Sequence, residues 1–116
     1  MTQSAFVDVA GVADVPPETP VRVDVDGTPI CLVNVDGTIH AVHDVCSHAL
    51  ASLSGGWVDG DRIECPRHGA TFSVVSGEAL SPPASAPLPV FGVAIEDGRV
   101  LVDPTPSRPH PIFRTP

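Results

Sequence analysis

Lysine is absent from this chain, and so is tyrosine. Its six basic residues are all arginine, set against 14 Asp and Glu, which leaves a formal net charge of −8 over 116 residues. A surface this acidic disfavours nucleic acid and anionic membranes and suits steering toward a basic protein patch, although solubility alone would also be served. Long apolar runs are missing too: no stretch approaches the ~18 residues of a membrane helix. The opening Met1–Phe6 has neither a basic region nor a long apolar segment, so no secretory signal is expected. Cysteine is scarce, at three residues. So few thiols cannot form a disulfide framework, and they suit a reducing, cytoplasmic setting.

Helical periodicity is lacking as well, whereas strand signals are plentiful. Alternating or β-branched runs occupy Val21–Val25, Ile30–Val35, Thr38–Val42, Val90–Ile95 and Arg99–Val102. In the first of these the valines take one face while Arg22 and Asp24 take the other. Four Asp-Gly dipeptides, at 26–27, 36–37, 59–60 and 97–98, supply the positive backbone angles that tight hairpins require. The expected fold is all-β. Residues 1–43 and 84–103 form an antiparallel sandwich or barrel base, and residues 44–83 form a smaller lobe at one end. Residues 104–116 carry five prolines and no periodicity, so they read as an extended tail outside the fold.

Within the predicted lobe lie two short strings, Cys46-Ser47-His48 and Cys65-Pro66-Arg67-His68, separated by sixteen residues. Each pairs a soft thiolate with a borderline imidazole. Two Cys and two His can bind a [2Fe–2S] centre asymmetrically, with thiolates on one iron and imidazoles on the other. They can also hold a tetrahedral zinc ion in an interaction module. Zinc modules usually separate paired ligands by two or more residues, and only the second string does so.

The two strings, with Ile63-Glu64 before the second, Gly69 after it, Gly77-Glu78-Ala79-Leu80 and the Pro-rich stretch beyond, resemble the Rieske family over about Phe6 to Asp103. The resemblance implies one [2Fe–2S] cluster, with Cys46 and Cys65 on the inner iron and His48 and His68 on the solvent-facing outer iron. It implies that Gly69 lets the backbone pass close to the cluster, and that Ser81-Pro82-Pro83 caps it from a third side. It makes the chain an electron carrier and not an enzyme, passing single electrons from a flavoprotein ferredoxin reductase to a terminal non-haem iron oxygenase that hydroxylates aromatic rings. A Rieske subunit of nitrite reductase and a ferredoxin of iron–sulfur assembly are alternatives within the family. The expected protein is a monomer in the cytoplasm.

Charge counting explains why these ligands matter. With two thiolates the oxidised centre is formally neutral, whereas an all-Cys centre starts at minus two. Potentials therefore rise to about −150 to +300 mV. The chain departs from the respiratory branch of the family, which ties its two loops with a disulfide and donates Ser and Tyr hydroxyls to the cluster. Ala51, Arg67, Ala70 and Phe72 stand at those positions. The departure implies the low-potential ferredoxin branch, near the bottom of that span.

The remaining candidates read as structural. Cys31 is a small buried hydrophobe. His40 and His43 follow strand alternation, and His110 sits in the tail without a companion. Trp57 is expected to pack between base and lobe. Asp44, Asp59, Asp61 and Glu64 are expected to carry the acidic surface.

Overall fold

A computed structural model describes residues 6–46, 51–67, 69–81, 86–108 and 110. Nine strands are found among them: β1 Val7–Gly11, β2 Val21–Val25, β3 Thr28–Val35, β4 Thr38–His43, β5 Trp57–Asp59, β6 Arg62–Glu64, β7 Thr71–Ser73, β8 Val90–Glu96 and β9 Arg99–Asp103. The only helical pieces there are two single-turn 3-10 helices, Val12–Asp14 and Leu53–Gly55. The all-β expectation holds. One antiparallel sheet runs β1-β9-β8-β4-β3-β2, and its edge strands β1 and β2 come into contact, so it nearly closes on itself. A smaller sheet runs β5-β6-β7.

The hairpins form where Asp-Gly dictates them. At Asp26-Gly27, Asp36-Gly37 and Asp97-Gly98 both residues have positive φ, 51° for each Asp and 76–91° for the glycines. That is the requirement of the two-residue turn whose twist matches the flanking strands. The fourth dipeptide behaves differently. Asp59 pairs with Arg62, so the turn centres on Gly60-Asp61, and only Gly60 (φ 63°) is left-handed. The Asp has moved one place back, into the strand.

Strand β3 links the two parts of the molecule. Ile30 and Leu32 enter one buried cluster with Val25, Ile39, Ala41, Phe91, Val100 and Val102. Their neighbours Cys31 and Val33 enter a second cluster with Val42, Cys46, Leu53, Ile63, Cys65, Phe72 and Leu88. Side chains alternate across a strand, so the unbroken apolar run Ile30–Val33 marks a strand covered on both faces. The first cluster fills the large sheet; the second joins its outer face to the small sheet. Burial pushes the Cys31 thiol well above its usual range, with the Asp44 charge adding to the rise, so it stays protonated and inert.

Two expectations need correction. Trp57 does not pack between the sheets: it is 60% exposed. The small sheet turns Val58, Ile63 and Phe72 inward, so the row one residue away, Trp57, Glu64 and Thr71, must face out. The tail does not lie wholly outside the fold. The Ser107 amide donates to Val90 O (3.0 Å), the Val90 amide donates to Ser107 Oγ (3.0 Å), and Arg108 Nη1 donates to Leu88 O (2.7 Å). Backbone polar groups hold it, which needs no apolar periodicity in the tail.

Candidate metal centre

Both cysteine strings begin where a strand runs out. β4 ends at His43, three residues before Cys46, and β6 ends at Glu64, directly before Cys65. The two loops close in the same way. The Cys46 amide donates to Ala51 O (3.0 Å) and the Cys65 amide to Ala70 O (2.7 Å), in each case five residues on. Both cysteines point inward, 0% and 1% exposed within the same core cluster. Pro66 and Arg67, in contrast, are exposed. Gly69 closes the second loop with φ +74° while its amide donates to Cys65 O (3.2 Å), a conformation that glycine adopts without penalty.

The first loop is held by a buried carboxylate. Asp44 accepts the Ser52 hydroxyl on one oxygen and the Ser54 amide (2.8 Å) on the other. Its backbone also bonds on both sides, the amide to Pro29 O (2.9 Å) and the carbonyl from the Leu53 amide (2.6 Å). The expectation that Asp44 lies on the acidic surface is overturned: it is fully buried, and the half-exposed Arg22 guanidinium stands 3.9 Å away. A buried charge with several donors is anchored. Asp59, Asp61 and Glu64 are exposed as expected.

His43 also departs from simple strand alternation: it is buried, and its Nδ1 accepts the Val45 amide (3.1 Å). Its ring lies 4.4 Å from that of His110, which is buried in turn and far from companionless. Burial, reinforced by the His110 charge and opposed by Asp44, pushes the His43 pKa down to about 4. The folded state thus resists a proton that the unfolded chain accepts near 6.5. Stability contributed by neutral His43 is present in full above pH 6.5 and drains away as pH falls toward 4. Acidification from pH 7 to 4.5 should cost about 2 kcal/mol through this group. Urea denaturation of His43→Phe should show a correspondingly shallower loss than wild type; equal losses would place the acid sensitivity elsewhere.

Of the four expected ligands, Cys46 and Cys65 are buried in the same core cluster, while His48 and His68 lie outside the described residues, as do Pro82 and Pro83. Ser81 is tied beside the second loop, its Oγ 3.1 Å from the Thr71 amide and 2.8 Å from Thr71 Oγ1. Two buried cysteines on matching loops fit the thiolate half of a cluster-binding set. Sequence reasoning missed Asp44 and His110 as anchors of the first loop. A lone acid among turn residues and a lone histidine among prolines carry no distinguishing pattern.

Comparison with known proteins agrees with this geometry. The Rieske [2Fe–2S] domain family matches residues 5–92. The ferredoxin subunit of biphenyl dioxygenase from Pseudomonas sp. (strain KKS102) is 41% identical over 99 residues, 84% of this chain and 91% of the relative. The Sphingomonas yanoikuyae B1 ferredoxin superposes with a TM-score of 0.83 at 35% identity, covering 86% of this chain and 99% of that one. A complex of reduced oxygenase and oxidized ferredoxin in carbazole 1,9a-dioxygenase matches with a TM-score of 0.81 at 40% identity, covering 86% and 94%. The zinc-module alternative falls with the family match.

Proposed function

Because this chain belongs to the Rieske [2Fe–2S] domain family, we propose that Cys46 and Cys65 hold one iron of a single Rieske-type cluster while His48 and His68 hold the other. When bound, the cluster takes up and releases one electron at a time. The rest is done by the chain. The paired loops bury both thiols, the core around Phe72 and Leu53 keeps water from them, and Asp44 fixes the backbone that leads into Cys46. In this reading residues 1–103 make up the cluster-binding domain, monomeric and cytoplasmic, with residues 44–83 as the lobe that presents the cluster.

The protein is an electron carrier like its ferredoxin relatives, taking electrons from a flavoprotein reductase and delivering them to a terminal ring-hydroxylating oxygenase. The observation that carries this reading is that two cysteines, each donating its amide to the carbonyl five residues on, are buried in one core cluster. The positions that could give the cluster hydroxyl donors hold a buried Ala70 and a buried Phe72 instead. The midpoint potential should therefore fall near the low end of the family, roughly −150 mV, where a flavoprotein can reduce it. Protein-film voltammetry of the purified, red-brown protein, followed by reduction with a flavoprotein ferredoxin reductase and reoxidation by a ring-hydroxylating oxygenase, tests both claims. A potential well above zero, or no electron passed to the oxygenase, would refute this assignment.

A further inference from the structure

Two successive peptide units lead into Cys46, and all four of their polar ends are bonded. In the first, the Asp44 carbonyl accepts the Leu53 amide (2.6 Å) and the Val45 amide donates to His43 Nδ1 (3.1 Å). In the second, the Cys46 amide donates to Ala51 O (3.0 Å) and the Val45 carbonyl lies 2.8 Å from His110 Nε2. A carbonyl only accepts, so His110 carries its proton on Nε2. Three of these anchors come from residues within ten positions of Cys46. The fourth, His110, comes from 65 residues beyond Val45 in sequence, out of the Pro-rich tail.

The tail reaches that point along a defined course. Ser107 makes a reciprocal pair of bonds with Val90 at the start of β8. Arg108 then spans Leu88 O (2.7 Å) and Ser76 O (3.3 Å), and His110 closes over His43 with only 6% of its surface exposed. The family match ends at residue 92, so this strap lies beyond it.

We propose that His110 is a positioning residue for the cluster: the strap anchored by Ser107, Arg108 and His110 sets the Val45–Cys46 peptide plane, and with it the direction of the Cys46 sulfur. The proposal rests on Cys46 being a ligand. Its mechanism is the donated hydrogen bond, not the bulk of the ring. His110→Phe keeps an aromatic ring over His43 but cannot donate, while His110→Gln keeps a donor at nearly the same reach and gives up the ring.

The experiment measures the rate of cluster loss to an iron chelator, together with the EPR g values of the reduced cluster, for wild type and both variants. Loss of one hydrogen bond at the ligand loop should make His110→Phe lose its cluster about fivefold faster, with shifted g values. His110→Gln should stay within about twofold of wild type with unshifted g values. If phenylalanine prevents folding, His110→Leu makes the same comparison. A Phe variant indistinguishable from wild type, or a Gln variant as impaired as the Phe variant, would overturn the donor role. Failure of the underlying reading would look different: a Cys46→Ser protein that keeps its cluster removes the ligand assignment whatever the residue 110 variants do.

Discussion

Cys46→Ser and Cys65→Ser proteins should be purified without iron or acid-labile sulfide. A serine oxygen is a harder and poorer ligand than thiolate for iron–sulfur chemistry, and each cysteine would supply half of the thiolate set. The structure supplies a matched control. Cys31 is as deeply buried in the same core cluster as Cys46 and Cys65, yet it lies on strand β3 and in no closed loop. Cys31→Ala should therefore lose some stability to the missing sulfur but keep a full complement of cluster. His48→Cys and His68→Cys should retain a cluster at lower potential, because each added thiolate brings negative charge. Iron and sulfide analysis of the five proteins decides the matter. Normal content in either serine variant, or loss of cluster in Cys31→Ala equal to theirs, would be fatal to the ligand assignment.

Gly56→Ala should be strongly damaging to the second cysteine loop. A Cβ at Gly56 would overlap Glu64 O and fall 3.1 Å from Pro66 Cδ. The obstacle is backbone, and it is the backbone directly before Cys65, so relief requires moving β6 or the second loop itself. Overpacking of this kind costs about 3 kcal/mol or more. Gly27 provides the contrast: its φ is +84°, but a Cβ there would meet no atom within 4 Å. Gly27→Ala should pay only for left-handed backbone, about 1 kcal/mol. Chemical denaturation together with iron content separates the two. Gly56→Ala should lose both stability and iron, and Gly27→Ala only a little stability. Equal behaviour of the two would mean that the approach of the 3-10 turn to Glu64 does not govern the second loop.

The features that the chain announces on its own are the local ones. Strands β2, β3, β4, β8 and β9 lie within three residues of where alternation and β-branching place them, because the pleat imposes its period of two on consecutive side chains. The hairpins follow from Asp-Gly, whose backbone preference operates without a partner. The Cys-x-His and Cys-x-x-His strings are equally local, since loop ligands must be close in sequence to reach a common centre.

What the tertiary structure decided is everything that depends on a distant neighbour. Alternation could not say which face of β5 would be covered, and one register step placed Trp57 outside and Val58 inside. Composition could not show that Asp44 is buried, because an acid becomes an internal anchor only when Ser52, the Ser54 amide and the Leu53 amide fold over it. The tail's prolines correctly indicated no strand or helix, yet Ser107, Arg108 and His110 dock through bonds to backbone carbonyls. Every residue but proline offers the same amide and carbonyl, so a side chain bound to one leaves no pattern at the other end. The His110–Val45 contact exists only because the sheet brings residues 65 apart in sequence within 2.8 Å.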